Sequence, residues 1–156
     1  MTLSARLAID ADLTALRDIL NQIITTGGTT AHMTPMSVAE FKAHYFDDSL
    51  FIHTVLDGNR AVEFQALYSD DDGGLAIGSF TDQQNPVKGA GYVVFEATKV
   101  EAIRRSAPHI NAVIRADNVP GLAYYSKMGF VDVGIEKDVP LSDGTSMDRI
   151  TKRYTL

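Results

Sequence analysis

The sequence predicts an α/β fold in a single domain spanning residues 1–156. Its centre is a mixed, mostly antiparallel sheet with one parallel strand pair, flanked by helices. Three observations predict it. Runs with strand and helix periodicity follow one another as β-α-α-β-β-β-α-β-α-β-β. The middle strands are joined by the hairpin signals Asp57-Gly58-Asn59 and Asp70-Asp71-Asp72-Gly73-Gly74, whose glycines tolerate positive φ. A helix-length segment then separates residues 74–81 from 110–116, and a helical crossover within one sheet makes the strands it joins parallel.

The first strand covers residues 3–9. Asp10 or Asp12 caps the helix that follows, in which Leu13, Leu16, Leu20 and Ile23 recur at helical spacing until Gly27-Gly28 stops it. A second helix starts at Ser37, where Glu40 completes a capping box, and it buries Val38, Phe41 and Tyr45. Residues 50–56, 61–68 and 74–81 are the hairpin strands. The helix over 89–107 carries Ala90, Val93, Val94, Ala97, Val100 and Ile103 on one face, and Pro108 ends it. A strand over 110–116, a helix over 118–128 and a last hairpin, 130–141 with 146–156, complete the order.

Composition narrows the function. A chain of 156 residues with 45% hydrophobic and 22% charged residues can bury the core of one domain. No apolar run approaches the roughly 20 residues of a membrane span, so no membrane partner is expected. Arg6, Asp10, Asp12, Arg17 and Asp18 interrupt the start of the chain and leave no signal-peptide core. The absence of cysteine excludes disulfides and a thiol nucleophile and fits a cytoplasmic location. A net charge of −6 argues against nucleic acid and mildly favours cationic acceptors such as amines. No spacing of His and carboxylates resembles a metal site, so no metal is expected.

Two segments carry chemistry. Val87-Lys88-Gly89-Ala90-Gly91-Tyr92 opens a helix, where the first amides lack intrahelical partners and the dipole favours an anion. Ordinary loop geometry also produces such a glycine pair. The segment lacks the Lys-Ser/Thr of a P-loop, and Val94 stands at the third glycine position of a dinucleotide fingerprint. The second segment, Asp117 to Phe130, has an N-cap, Pro120 in its first turn and Gly129 at its end, all explicable as capping. Capping does not require Tyr125, seven residues after Asn118 and four before Gly129. That tyrosine is either an acid or a core aromatic, while Tyr124 points about 100° away and is assigned to packing.

In this order the two segments resemble the signature of the GNAT superfamily of acetyl-CoA-dependent N-acetyltransferases. The resemblance spans essentially the whole chain, although Pro86 stands where Gln or Arg is usual. It implies acetyl-CoA as cosubstrate, its pyrophosphate held at Val87, Lys88, Gly89, Ala90, Gly91 and Tyr92. It also implies that the parallel strands splay, with Ser79, Phe80 and Thr81 offering backbone groups to the pantetheine arm and the acetyl carbonyl. Asn118 and Gly121 would flank that arm, and Tyr125 would protonate the departing thiolate. A phenol suits the task because it stays protonated at neutral pH.

Many relatives place a glutamate base on the first splayed strand, and this chain has none there. Glu63 and Gln65 are polar positions sharing one face of the neighbouring strand, and a buried Glu63 would have the raised pKa of a base. His32, His53, His109 and a chain of waters are the alternatives. The loop over 26–35 resembles that of phosphinothricin and amino-acid acetyltransferases, making Thr29, Thr30 and His32 substrate-binding candidates. Arg115 or Arg149 would meet a substrate carboxylate. The expected partner is therefore a small-molecule amine, and a homodimer is kept open. A catalytically silent acyl-CoA sensor and a protein N-terminal or lysine acetyltransferase are the other readings.

Overall fold

The computed structural model describes residues 2–27, 30 and 34–156. Among these residues seven strands form one sheet: β1 Leu3–Leu7, β2 Phe51–Asp57, β3 Arg60–Ser69, β4 Leu75–Thr81, β5 His109–Arg115, β6 Val131–Pro140 and β7 Ser146–Thr155. Their spatial order is β1-β2-β3-β4-β5-β7-β6. All neighbours are antiparallel except β4 and β5, the pair joined by the helical crossover.

That parallel pair is short. Leu75 meets Ile110 and Ala76 meets Asn111, and beyond them the strands part. Each keeps its outer partner: β4 stays on β3 as far as Thr81, and β5 stays on β7 as far as Arg115. The joined end is clamped by the preceding turn. Asp72 Oδ2 accepts from Asn111 Nδ2 at 2.7 Å and from Arg153 Nη2 at 2.9 Å, and it lies 3.0 Å from His109 Nε2. The Gly74 amide and Asn111 hold this carboxyl down at about 2. Gly74 is required here, because a Cβ would come within 2.4 Å of the His109 ring and 2.9 Å of its carbonyl oxygen.

Helices cover both faces. Helix α1, Leu13–Thr26, and α2, Val38–Phe41, pack Leu16, Leu20 and Phe41 on one side against Phe64 and Ala66 of β3. Helices α3, Ala90–Arg104, and α4, Val119–Met128, bury Val94, Phe95 and Tyr125 on the other. Strand alternation sends Glu63, Gln65 and Leu67 of β3 to this second face.

Several boundaries differ from expectation. β1 ends at Leu7, because Asp12 accepts from the Ile9 amide and from Arg6, folding Asp10–Asp12 into a 3-10 turn before α1. The Ser37–Glu40 capping box forms, but α2 continues as a π-helical stretch, Lys42–Asp47. Val100 and Ile103 of α3 are 67% and 61% exposed, contrary to prediction. The buried stripe runs instead through Val94, Phe95, Thr98 and Ala102. Choosing the stripe by hydrophobicity passed over Thr98, whose hydroxyl has a partner in the sheet. Among the described residues, no helix is long and apolar enough to cross a membrane.

Candidate active site between the parting strands

A cavity of about 670 Å³ fills the space where β4 and β5 separate. Ser79, Phe80 and Thr81 line it from β4, Val113 and Arg115 from β5, and Asn118, Gly121 and Tyr125 from the α4 segment. Glu63 reaches it from β3, and Pro86 contributes from the connection to α3.

Tyr125 is placed by the end of its own helix. Gly129 has φ 105°, its amide donates to the Ser126 carbonyl at 3.1 Å, and the Phe130 amide donates to the Tyr125 carbonyl at 3.0 Å. This is a Schellman end, and its apolar contact is the Phe130 ring against the Tyr125 ring, centroids 5.0 Å apart. The capping sequence and the tyrosine spacing are thus one device. Tyr125 is 6% exposed, its Oη lies 2.7 Å from Ser79 Oγ, and burial pushes its pKa above the ordinary phenol value. At the other end of α4, Asn118 Oδ1 accepts from the Gly121 amide at 3.0 Å. A Cβ on Gly121 would come within 2.5 Å of the Asn118 amide, so the two residues form one unit.

Glu63 is 4% exposed, and its carboxylate accepts a short hydrogen bond from Thr81 Oγ1. Burial pushes its pKa up to about 7, with the Thr81 hydroxyl opposing. Tyr124, assigned to packing, does pack its ring over Gly91, but its hydroxyl is engaged as well. It donates to the Gly91 carbonyl at 2.7 Å and accepts from Gln65 Nε2 at 2.8 Å. A Cβ on Gly91 would come within 2.7 Å of that ring.

The glycine segment fits a polyphosphate. Gly89 caps α3 with φ 90°, a left-handed conformation suited to glycine, and the Gly91 and Tyr92 amides fall in the first turn. Lys88 is exposed, whereas the Ala90 side chain is buried in the core and its amide donates to the Val87 carbonyl at 3.2 Å. Asp82 orders the approach: Oδ1 accepts from the Gln84 and Asn85 amides, while Oδ2 pairs with Arg60 at 3.0 Å. Among the described residues, no group of three or more His, Asp or Glu could hold a metal ion.

The cavity thus brings together Ser79, Phe80, Thr81, Asn118, Gly121, Tyr125, Glu63 and Thr30. The predicted loop residues from Val87 to Tyr92 do not line it; they follow Pro86, which does. Thr29 and His32 lie outside the described residues. His53 is 7% exposed on β2 and His109 is held by Asp72, and neither lines the cavity. Arg115 and Arg149, cross-strand neighbours on β5 and β7, both line it. Sequence reading left Gln65 and Thr98 without a role. Their signal was a polar residue in an apolar strand and another in an apolar helix.

A sheet opened between two parallel strands, with a glycine-capped helix and a tyrosine-bearing helix beside the opening, is the GNAT N-acetyltransferase fold. The chain superimposes on an N-acetyltransferase from Staphylococcus aureus Mu50 with a TM-score of 0.89 at 18% identity, covering 99% of each chain. It matches a ribosomal-protein-alanine N-acetyltransferase from Brucella melitensis at 0.86 and 19% identity, over 97% of this chain and 99% of that one. A GNAT superfamily phosphinothricin acetyltransferase from Sinorhizobium meliloti, in complex with AcCoA, matches at 0.85 and 19% identity, over 100% and 89%. No protein-family model and no curated protein matches the chain. At these identities the likeness is one of fold, and activity is argued from the site.

Proposed function

We propose that this protein is an acetyl-CoA-dependent N-acetyltransferase whose acceptor is the primary amine of a small molecule, an amino acid or analogue. The observation that carries the reading is the convergence of a buried phenol and a buried carboxyl group on one cavity, those of Tyr125 and Glu63, between the parting strands. Acetyl-CoA would lie with its phosphates at the amides of Gly89, Gly91 and Tyr92 and its arm between β4 and the Asn118–Gly121 turn. Bound there, it supplies an activated acetyl thioester.

Glu63, with its pKa near 7, takes a proton from the acceptor ammonium or from a water beside it. The free amine attacks the acetyl carbonyl directly, with no acyl-enzyme. Backbone amides near Ser79 and Phe80 stabilise the oxyanion. Tyr125 donates its proton to the leaving sulfur. Arg115 and Arg149 support an acceptor that carries a carboxylate. A cytoplasmic, homodimeric enzyme completes the proposal. The exposed Val131, Val133 and Ile135 of edge strand β6 support the pairing, and sedimentation measures it.

Thiol release from acetyl-CoA, followed across amino acids, phosphinothricin, polyamines and a peptide with a free N-terminus, tests the reading. Turnover with a small amine is expected, and Tyr125→Phe should lower kcat by roughly 10²–10⁴-fold. Acetylation of the peptide alone would move the acceptor to protein N-termini. Binding of acetyl-CoA without thiol release would make the protein a sensor.

A further inference from the structure

Gln65 takes no part in the steps above, yet it is a fully buried amide at the centre of the sheet with its hydrogen bonds made. Its Nε2 lies 2.8 Å from Tyr124 Oη and 3.0 Å from Ser79 Oγ, and its Oε1 lies 2.7 Å from Thr98 Oγ1. With three hydroxyl neighbours, each able to donate or accept, the amide could sit in either sense. One neighbour removes the choice. Tyr124 Oη is 2.7 Å from the Gly91 carbonyl, which only accepts, so the Tyr124 proton is committed there. Tyr124 Oη must therefore accept from Gln65, which turns Nε2 toward both Tyr124 and Ser79. Thr98 then donates to Oε1. Ser79 Oγ receives a hydrogen bond from Gln65, and across the 2.7 Å to Tyr125 Oη either hydroxyl can donate. With Tyr125 as donor the Ser79 hydrogen has no acceptor within this cluster, whereas with Ser79 as donor the Tyr125 hydrogen is left for the cavity.

We propose that Gln65 is a positioning residue that fixes the direction of a hydrogen-bond chain, from Gln65 Nε2 to Ser79 Oγ to Tyr125 Oη, so that Tyr125 presents its own proton to the cavity. The proposal rests on Tyr125 acting as the acid. When the carbon–sulfur bond breaks, its electron pair stays on sulfur and the Tyr125 proton moves there. The phenolate oxygen left behind keeps the hydrogen bond from Ser79. Solvent returns the proton before the next turnover, and the amine's proton leaves through Glu63. A buried phenolate with no donor beside it would be costly, so the Ser79 hydrogen is what makes Tyr125 a usable acid in this site. An acceptor at position 65 would draw that hydrogen to itself. Ser79 could then only accept from Tyr125, and the phenol proton would turn away from the cavity.

Two variants and two readouts test this. Gln65→Glu keeps the shape and replaces the donor by an acceptor, and Gln65→Met removes both polar atoms. Each should lower kcat for thiol release roughly 10–100-fold, while KM for acetyl-CoA stays within about twofold of wild type. In a Tyr125→Phe background, neither should lower kcat further, because the chain would end on a missing proton. If Gln65→Met fails to fold, Gln65→Glu carries the comparison. The second readout needs no ligand. Infrared difference spectra of ring-labelled tyrosine, taken against Tyr125→Phe, report whether the Tyr125 phenol accepts a hydrogen bond. Gln65→Glu should shift the C–O stretch to that of a phenol that only donates. An equal fold-loss in both backgrounds, or an unmoved band, overturns the role of Gln65 and leaves Tyr125 as the acid. A Tyr125→Phe enzyme at wild-type rate, or no thiol release with any acceptor, overturns both.

Discussion

At position 63 the same burial that suits a carboxylate to act as a base also weakens the fold. An ordinary glutamate titrates at 4.5, whereas Glu63 in the folded protein titrates near 7. Between those values the folded protein holds a proton that the unfolded chain has released. Its contribution to stability is therefore fully present below about pH 4.5 and is lost as pH rises through about 7. Glu63→Gln abolishes that dependence. The variant should be more stable than wild type at pH 8, by up to about 3 kcal/mol, and the difference should vanish near pH 4; urea unfolding at both values measures it. The same substitution should flatten the rise in rate through about pH 7 and lower kcat at pH 8 by roughly 10²-fold or more. A variant with the wild-type profile would pass the base to ordered water. In the sequence, Glu63 and Gln65 stood out as polar positions on one face of an apolar strand. Their partners did not, because Thr81, Ser79 and Thr98 arrive from a neighbouring strand and a helix that no local pattern links to β3.

Elements were easier to read than their contacts. The hairpins, the crossover and the capped α4 each carry a local signal: turn glycines, helical length, or an Asn and a Gly at the right separation. The buried face of α3 carried a partly misleading one, since Ala90 and Val94 of its apolar stripe are buried but Val100 and Ile103 face water, and Phe95 and Thr98 are buried in their place. Nor does anything in β4 or β5 alone announce that they pair at only two positions. That depends on the clamp from Asp72 to Asn111 and Arg153, and on the room Gly74 leaves for His109. Gly74→Ala puts a methyl group against both the ring and the carbonyl of His109. It should cost about 1–3 kcal/mol of stability as overpacking, measured by urea unfolding. Because the displaced strand ends begin the opening, acetyl-CoA affinity should fall with it. A variant as stable as wild type would mean that β4 shifts to accommodate the methyl group freely.

Across the whole molecule, protection is uneven. β2 and β3 are buried at most positions and have partners on both sides, whereas β6 is exposed at nearly every position and lies at the sheet edge. Amide hydrogen exchange should be fastest in β6 and slowest in β3, where opening approaches global unfolding. Equal protection of the two would show that β6 is covered in solution, as a homodimer through that edge requires. The charge balance read from the sequence bears on this scale too. It disfavours nucleic acid but does not distinguish one amine from another, because acceptor choice depends on a few side chains around the cavity.

The gap between β4 and β5 has a further meaning. Past Ala76 and Asn111, each strand turns one row of peptide groups toward the other without reaching it. The protein therefore carries two sheet edges in its interior, the kind of surface that elsewhere invites an intruding chain. An extended molecule with amides of its own, as the pantetheine arm is, can lie there as a guest strand. Its arrival would knit two half-sheets that otherwise meet at a single corner, so the protein would be most nearly a finished β-structure only while such a guest is bound.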